Sequence, residues 1–160
     1  MSDPRYVSAP AGRAGAAPRD VVRATALTVV LSGLFGIWTL VSALVVGGDA
    51  ASAGLGELGN AVVFVGVVYT GFCVLAVVGA LLAARGSNAW RITVLVLGSL
   101  WAVLSLLGLV ESIAAAAVGS SVVNAVAVAG TVAAIVLYLR PDSNRFFAAR
   151  TADQRRGTGY

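Results

Sequence analysis

Four long apolar runs dominate this sequence and limit what the chain can fold into. Residues 24–46, 61–84 and 122–139 contain no charged side chain, and residues 92–118 contain one, Glu111. About 20 residues of α-helix, rising roughly 1.5 Å each, cross a hydrocarbon layer about 30 Å thick. The runs therefore predict an all-α membrane protein, built as a bundle of four transmembrane helices.

The composition agrees with burial in lipid rather than in water. Charged residues make up 11% of the 160-residue chain and hydrophobic residues 59%, whereas a soluble domain carries about 25% charged residues. Eleven arginines, no lysine and seven acidic residues give a net charge of +4. Together with many Ala, Gly and Val residues, this usage is typical of a GC-rich bacterial genome. The arginines flank apolar runs, so their charge indicates a membrane and not a nucleic-acid partner.

The positions of the arginines predict the orientation of the helices. The two loops 47–60 and 119–121 contain no basic residue, and every arginine falls on the other side of the four spans. The arginines are Arg5, Arg13, Arg19, Arg23, Arg85, Arg91, Arg140, Arg145, Arg150, Arg155 and Arg156. Basic residues concentrate on the cytoplasmic side of membrane proteins. We therefore expect a multi-pass protein of the bacterial inner membrane with both termini in the cytoplasm.

Three regions are predicted along the chain. Residues 1–20 contain three prolines and no hydrophobic period, which is typical of a disordered cytoplasmic tail. Residues 21–140 form the transmembrane domain, with Asp20 as the N-cap of its first helix. Residues 141–160 form a basic cytoplasmic tail, because Pro141 ends the fourth helix. A tight turn at residues 119–121 makes helices three and four antiparallel neighbours.

Small residues recur four positions apart and predict close helix packing, which is how helices associate in lipid. The rows are Ser32 with Gly36, Gly79 with Ala83, Gly98 with Ala102, Gly108 with Ser112, and Ala125 with Ala129 and Ala133. Packing inside one four-helix bundle is the preferred interpretation. A homo-oligomer interface is the alternative.

The residues needed for most membrane enzymes are missing from the sequence. Histidine is absent, Cys73 is the only cysteine, and no span contains an aspartate. These absences exclude Ser–His proteases, dithiol oxidoreductases and intramembrane diaspartate peptidases, and a phosphate-binding glycine loop with lysine is absent too. The sequence therefore predicts no catalytic, cofactor-binding or metal site.

Glu111 is the one ionisable side chain within an apolar run, and Asn124 on the next helix is its nearest candidate partner. An intramembrane carboxyl group is costly and suggests a proton or cation site. Counted from Ile92, however, Glu111 lies about 29 Å along the helix, near the outer boundary of the hydrocarbon. Glu111 and Asn124 are thus a candidate polar membrane site, with an outer-interface position of Glu111 as the preferred alternative.

The C-terminal tail combines aromatic and basic side chains. Asp142 or Ser143 is predicted to cap a short helix in this tail. Such a helix suits the lipid headgroup region, where each basic residue gains about 1 kcal/mol near an anionic surface. An equal alternative is that the tail lies in water and serves only as the stop signal after the last span. The candidate headgroup contacts are Arg145, Phe146, Phe147 and Arg150.

The end of the last span, Arg140-Pro141, and the following Arg145-Phe146-Phe147 resemble a recurring pattern. In this respect the chain is similar to small uncharacterised four-span membrane proteins of GC-rich bacteria, whose last helix ends in Arg-Pro before a Phe-containing basic tail. The resemblance covers these residues and the pattern of spans, and it implies no activity.

The sequence thus predicts an integral inner-membrane protein with a structural, accessory or assembly role and no catalysis. The alternative is a small oligomeric channel or transporter that uses Glu111 as a proton or cation site. The expected partners are the lipid bilayer and either another membrane protein or further copies of the chain.

Overall fold

The computed structural model describes residues 16–157, which form five α-helices. They are α1 (Arg19–Ser52), α2 (Gly56–Ala84), α3 (Asn88–Ala114), α4 (Val118–Leu139) and α5 (Pro141–Gly157). The helices α1 to α4 are each long and apolar enough to cross a membrane. The predicted bundle of four transmembrane helices is confirmed. Most of the predicted disordered tail, residues 1–15, lies outside the described residues.

The chain runs up and down through the bundle. Helix α1 packs against α2 and α4, and α3 packs against α4 and α2, so each helix has two neighbours. One end of the bundle holds the start of α1, the turn at residues 85–87 and α5. We call it the arginine end, because every arginine of the described residues lies there. The opposite end holds the turns at residues 53–55 and 115–117.

Large apolar side chains cover the outside of the four long helices. Ile37 on α1 is 67% exposed, Phe64 on α2 is 69% exposed and Leu107 on α3 is 61% exposed. Apolar surface this continuous is found where a protein meets another protein or a membrane. Because four such helices also satisfy their own backbone hydrogen bonds, they fit an integral membrane protein.

Glycines allow the backbones of α1 and α2 to approach closely. A Cβ atom on Gly59 would lie 2.5 Å from the carbonyl oxygen of Gly47. A Cβ atom on Gly66 would overlap the Cβ of Ala43. Small residues therefore hold this pair together by close packing, as helices in lipid require.

Four glycines of the predicted small-residue rows also face a neighbouring helix of the same chain, namely Gly36, Gly79, Gly98 and Gly108. The stripe predicted on the fourth helix differs, since Ala125, Ala129 and Ala133 are all exposed. Packing inside one bundle accounts for the glycines and leaves the alanines on the outer surface.

The predicted outer loop 47–60 is mostly helical. Helix α1 continues to Ser52 and α2 begins at Gly56, which leaves residues 53–55 as the turn. Gly54 has a φ of +82°, a left-handed conformation that glycine adopts without strain. The close contact between Gly47 and Gly59 keeps both helices paired in this glycine-rich region, although glycine alone disfavours helix.

The predicted turn at residues 119–121 is wrong in position. The structure places the turn at residues 115–117, and Gly119 to Ser121 form the first turn of α4. Ala116 takes a φ of 52°, which costs an L-residue about 1–2 kcal/mol. This turn sets Ser112 opposite Ser121, whose hydroxyl groups are 3.1 Å apart. The predicted antiparallel pairing of helices three and four is present.

The predicted N-cap at Asp20 is also wrong. Helix α1 begins one residue earlier, with Pro18 at the N-cap position and no side-chain cap. Asp20 instead lies in the first helical turn, where its carboxylate is 3.3 Å from the guanidinium of Arg140. This ion pair joins the start of α1 to the end of α4 at the arginine end.

The buried hydrophobic core lies at the arginine end. It contains Val21, Ala24, Ala80, Ala83, Val94, Tyr138 and Phe147. Phe147 belongs to α5, so the C-terminal helix is folded back onto the base of the bundle.

Candidate functional site

All four membrane-spanning helices line a cavity of about 180 Å³ inside the bundle. Its wall is mainly apolar, and the polar groups on it are hydroxyls, the indole N–H of Trp101 and the thiol of Cys73. Thr28, one of these groups, donates its hydroxyl hydrogen to the carbonyl of Ala24 at 2.9 Å. No lining residue among those described carries a charge. The cavity thus offers an apolar volume without an ion ligand of full charge.

Three aromatic rings meet across the centre of the bundle. Trp101 on α3 packs edge-on against Phe35 on α1, with ring centroids 5.5 Å apart. Its other neighbour is Tyr69 on α2, at 4.6 Å. Such ring pairs add about 0.5–1.5 kcal/mol beyond the area they bury. The cluster ties α3 to the α1–α2 hairpin.

A hydroxyl pair joins α1 to α4 in the buried core. The hydroxyl oxygens of Thr25 and Tyr138 are 3.1 Å apart, and Thr25 Oγ1 lies 3.5 Å from the carbonyl oxygen of Ala80. Tyr138 is only 1% exposed. Buried polar groups with such partners lock helices to one another. This pair therefore has a structural role.

Glu111 lies near the opposite end, three residues before α3 ends at Ala114, and its side chain is exposed. Asn124 is half-buried and packs over Gly108, where a Cβ atom would lie 3.2 Å from its amide nitrogen. No hydrogen bond joins Glu111 to Asn124 in the described part of the chain. The structure places the two residues on neighbouring helices without bringing their side chains together, and a polar membrane site at Glu111 stays a prediction.

The four candidate headgroup contacts of the tail fall into different environments. Arg145 is exposed, 3.9 Å from Asp142, and Phe146 is half-buried beneath the guanidinium of Arg150, 5.6 Å from the ring centroid. Phe147 differs from the expectation, because it is 1% exposed and packs in the core. Its ring has no surface left for a lipid headgroup. Arg145, whose side chain is 83% exposed, remains open to one.

Helix α5 is also longer than the short helix expected from the sequence, and it is tied to α4 by side chains. The hydroxyl of Ser143 donates to the carbonyl of Leu137 at 2.8 Å, and the amide of Asn144 donates to the carbonyl of Leu139 at 3.0 Å. These two bonds use carbonyls at the C-terminus of α4 that have no partner within that helix. They explain why the chain bends sharply at Pro141.

Arg91 is a buried cation, with 9% of its surface exposed. Its Nη2 donates to the carbonyl of Tyr138 at 2.8 Å and to the side-chain oxygen of Asn144. The guanidinium also lies over the ring of Phe147, 4.8 Å from the centroid. Arg91 thereby connects the starts of α3 and α5 with the end of α4.

Sequence reasoning missed Arg91, which it treated as a flanking charge. The signal was its helical spacing, because Arg91, Val94 and Gly98 are three and four residues apart and share one face of α3. Val94 is buried, so this face points into the bundle and carries Arg91 with it.

Comparison of the chain with models of known protein families, with curated proteins and with solved structures finds no match. The arguments about function therefore depend on the geometry of the chain itself.

Proposed function

We propose that this protein is a non-catalytic accessory or assembly protein of a bacterial inner membrane, with both termini in the cytoplasm. Four apolar helices fit an integral membrane protein. The observation that carries the proposal is the absence of charge on the residues that line the interior cavity in the described part of the chain. An ion crossing such an apolar volume would lose its hydration without finding a charged partner.

The fixed polar contacts of the bundle also support this role. The hydroxyl groups of Thr25 and Tyr138, and those of Ser112 and Ser121, are paired with one another between helices. Groups paired in this way stabilise one arrangement of helices rather than exchange partners with a passing substrate. The apolar outer surface is the part of the membrane domain that remains free to bind another membrane protein.

The alternative, an oligomeric channel or transporter, would use Glu111. This carboxyl group is exposed on α3 near the opposite end of the bundle and is not among the residues that line the cavity. Within one bundle its carboxyl group therefore does not face this cavity. A role in transport would require further copies of the chain to surround it.

Native mass spectrometry after mild extraction from the host membrane, at natural expression, tests the proposal. We expect the chain to be recovered with a different membrane protein at a fixed stoichiometry. Recovery as a symmetric homo-oligomer with no other protein would contradict the accessory role and favour the channel or transporter.

The substitution Glu111→Gln separates the two functions by a second measurement. An accessory role predicts unchanged stability and unchanged ion flux in vesicles that contain the purified protein. Glu57→Gln is the matched control, because Glu57 is an exposed carboxylate at the same end of the bundle. Loss of an ion flux in Glu111→Gln but not in Glu57→Gln would contradict the accessory role.

A further inference from the structure

A cleft of about 590 Å³ opens at the arginine end, between the start of α3 and helix α5. It is lined from α3 by Asn88 and Arg91, and from α5 by Asn144, Thr151 and Arg156, among others. Two guanidinium groups, two amides and a hydroxyl therefore face one cleft. The cleft is distinct from the apolar cavity within the membrane-spanning bundle.

Arg91 is held rigidly at the wall of this cleft. Its Nη2 is bound to the carbonyl of Tyr138 and to Asn144, which fixes the plane of the guanidinium. Its Nε is buried and has no hydrogen-bond partner among the described residues. Because Nη2 is engaged and Nε is buried, the hydrogens of Nη1 are the donors that this fixed guanidinium offers to an anion in the cleft.

The positive charge at the cleft has no carboxylate partner in the described residues. Among the acidic groups nearby, Asp20 pairs with Arg140 and Asp142 with Arg145. Asp153 is exposed on α5, three residues before Arg156, and no ion pair joins the two in the described residues. Within residues 16–157 neither Arg91 nor Arg156 forms an ion pair with a carboxylate. An uncompensated cation that is 9% exposed is costly, and an anion in the cleft would relieve that cost.

The first turn of α3 adds to the positive field of the cleft. The helix begins at Asn88, and Ser87 at its N-cap makes no side-chain cap bond. The first backbone N–H groups of a helix carry about half a unit of positive charge and have no partner within the helix. The apolar run of α3 begins at Ile92, so the cleft lies where the hydrocarbon of a bilayer would end.

We propose that this cleft binds a phosphate group, carried by an anionic lipid or free in solution. Arg91 supplies a fixed guanidinium, Arg156 a second charge, and the side-chain amide of Asn88 a neutral hydrogen-bond donor. Arginine forks match the oxygen geometry of phosphate and form charge-assisted bonds with it. The proposal does not depend on the accessory role, because a transporter could carry the same site.

The test uses the purified full-length chain in an uncharged detergent, titrated with dioleoylphosphatidylglycerol and, separately, with inorganic phosphate. Native mass spectrometry gives the stoichiometry and dissociation constant of each probe. Dioleoylglycerol, which has the same tails without phosphate, is the matched control lipid. We expect one molecule of phosphatidylglycerol, or one phosphate, to bind per chain. The binding of dioleoylglycerol should be the same for the natural chain and for the variants described below.

The informative variant is Arg156→Gln, since Arg156 is exposed and its loss leaves the core intact. We expect the dissociation constant to rise about tenfold, which corresponds to one charge-assisted hydrogen bond of about 1.4 kcal/mol. The control is Arg145→Gln, an exposed arginine on the same helix that does not line the cleft. It should change the constant less than about twofold.

A second variant, Arg91→Lys, keeps the charge but removes the planar fork. Its binding should also weaken, and its thermal unfolding is measured beside it to separate binding from folding. If Arg156→Gln and Arg145→Gln weaken binding equally, or if neither probe binds, the proposal is overturned. If inorganic phosphate binds in the absence of lipid, and Arg156→Gln weakens that binding too, free phosphate is a sufficient ligand. Binding of phosphatidylglycerol without competition from inorganic phosphate identifies a lipid.

Discussion

At the scale of single residues, the structure separates glycines that the packing needs from glycines that it does not. Gly66 and Gly71 lie on the same helix, α2, five residues apart. A Cβ on Gly66 would overlap the Cβ of Ala43, whereas a Cβ on Gly71 has nothing within 4 Å. The side chain of alanine is rigid, so the overlap at Gly66 can be relieved only by moving a helix.

We therefore predict that Gly66→Ala destabilises the bundle by about 1–3 kcal/mol, the usual cost of overpacking. Gly71→Ala is the control and should be neutral or slightly stabilising, because alanine favours helix over glycine. The free energy of unfolding can be measured by titrating the protein from a mild detergent into dodecyl sulfate. Equal stability of the two variants would contradict the close α1–α2 contact.

The hydroxyl pair of Thr25 and Tyr138 gives a second prediction at this scale. Each of the substitutions Thr25→Val and Tyr138→Phe should cost about 0.6 kcal/mol, the average for a hydrogen bond between membrane helices. The double variant should cost less than the sum, because both changes remove the same bond. Thr93→Val is the control, since Thr93 is bound to the carbonyl of Ala89 on its own helix. Additive costs in the double variant would show that the hydroxyls are not coupled.

At the scale of elements, α5 is the helix whose position was least expected. Its ring of Phe147 enters the core, and the stem of Arg150 covers the turn at Gly86. Gly86 has a φ of +98°, and a Cβ there would lie 2.7 Å from the Cγ of Arg150. The tail is therefore a docked helix that closes the arginine end.

Phe147→Ala should release α5 from the bundle. Removing a buried phenylalanine costs about 3–5 kcal/mol, and the population of undocked helix rises accordingly. Trypsin cleavage at Arg150 should become more than about tenfold faster, because cleavage follows the population of the open form. Phe64→Ala is the matched control, as Phe64 is 69% exposed on α2. Cleavage rates that do not differ between the two variants would mean that α5 is not held by Phe147.

The elements also show how far the sequence could predict this fold. The four spans followed from hydropathy and length, because the bilayer sets both. The turns did not, since Gly119 to Ser121 carry a turn signal and the alanines at residues 115–117 carry none. The turn at residues 115–117 sets Ser112 opposite Ser121, a pairing between helices that no local signal in the sequence shows. The docking of Phe147 was missed for the same reason, because an aromatic residue beside arginines suits a membrane surface as well as a core.

At the scale of the whole molecule, the charged residues are divided between the two ends of the bundle. Every arginine of the described residues lies at one end, and the opposite end carries Asp49, Glu57 and Glu111. Moving an arginine side chain through the hydrocarbon costs several kilocalories per mole, and the cytoplasmic loops of membrane proteins are enriched in basic residues. Because the arginines of residues 16–157 all lie at one end and none lies at the other, insertion in one orientation is much more favourable than in the reverse one.

The orientation can be measured with single cysteines placed at the two ends, in a Cys73→Ala background that removes the buried thiol. Ala53→Cys reports the turn between α1 and α2, and Ala149→Cys reports an exposed position on α5. In spheroplasts, a membrane-impermeant maleimide should label Ala53→Cys at once and label Ala149→Cys only after lysis. The reverse pattern would place the arginine end outside and contradict the positive-inside prediction. Labelling of both before lysis would mean that the two ends do not lie on opposite sides of the membrane, which the four-span bundle requires.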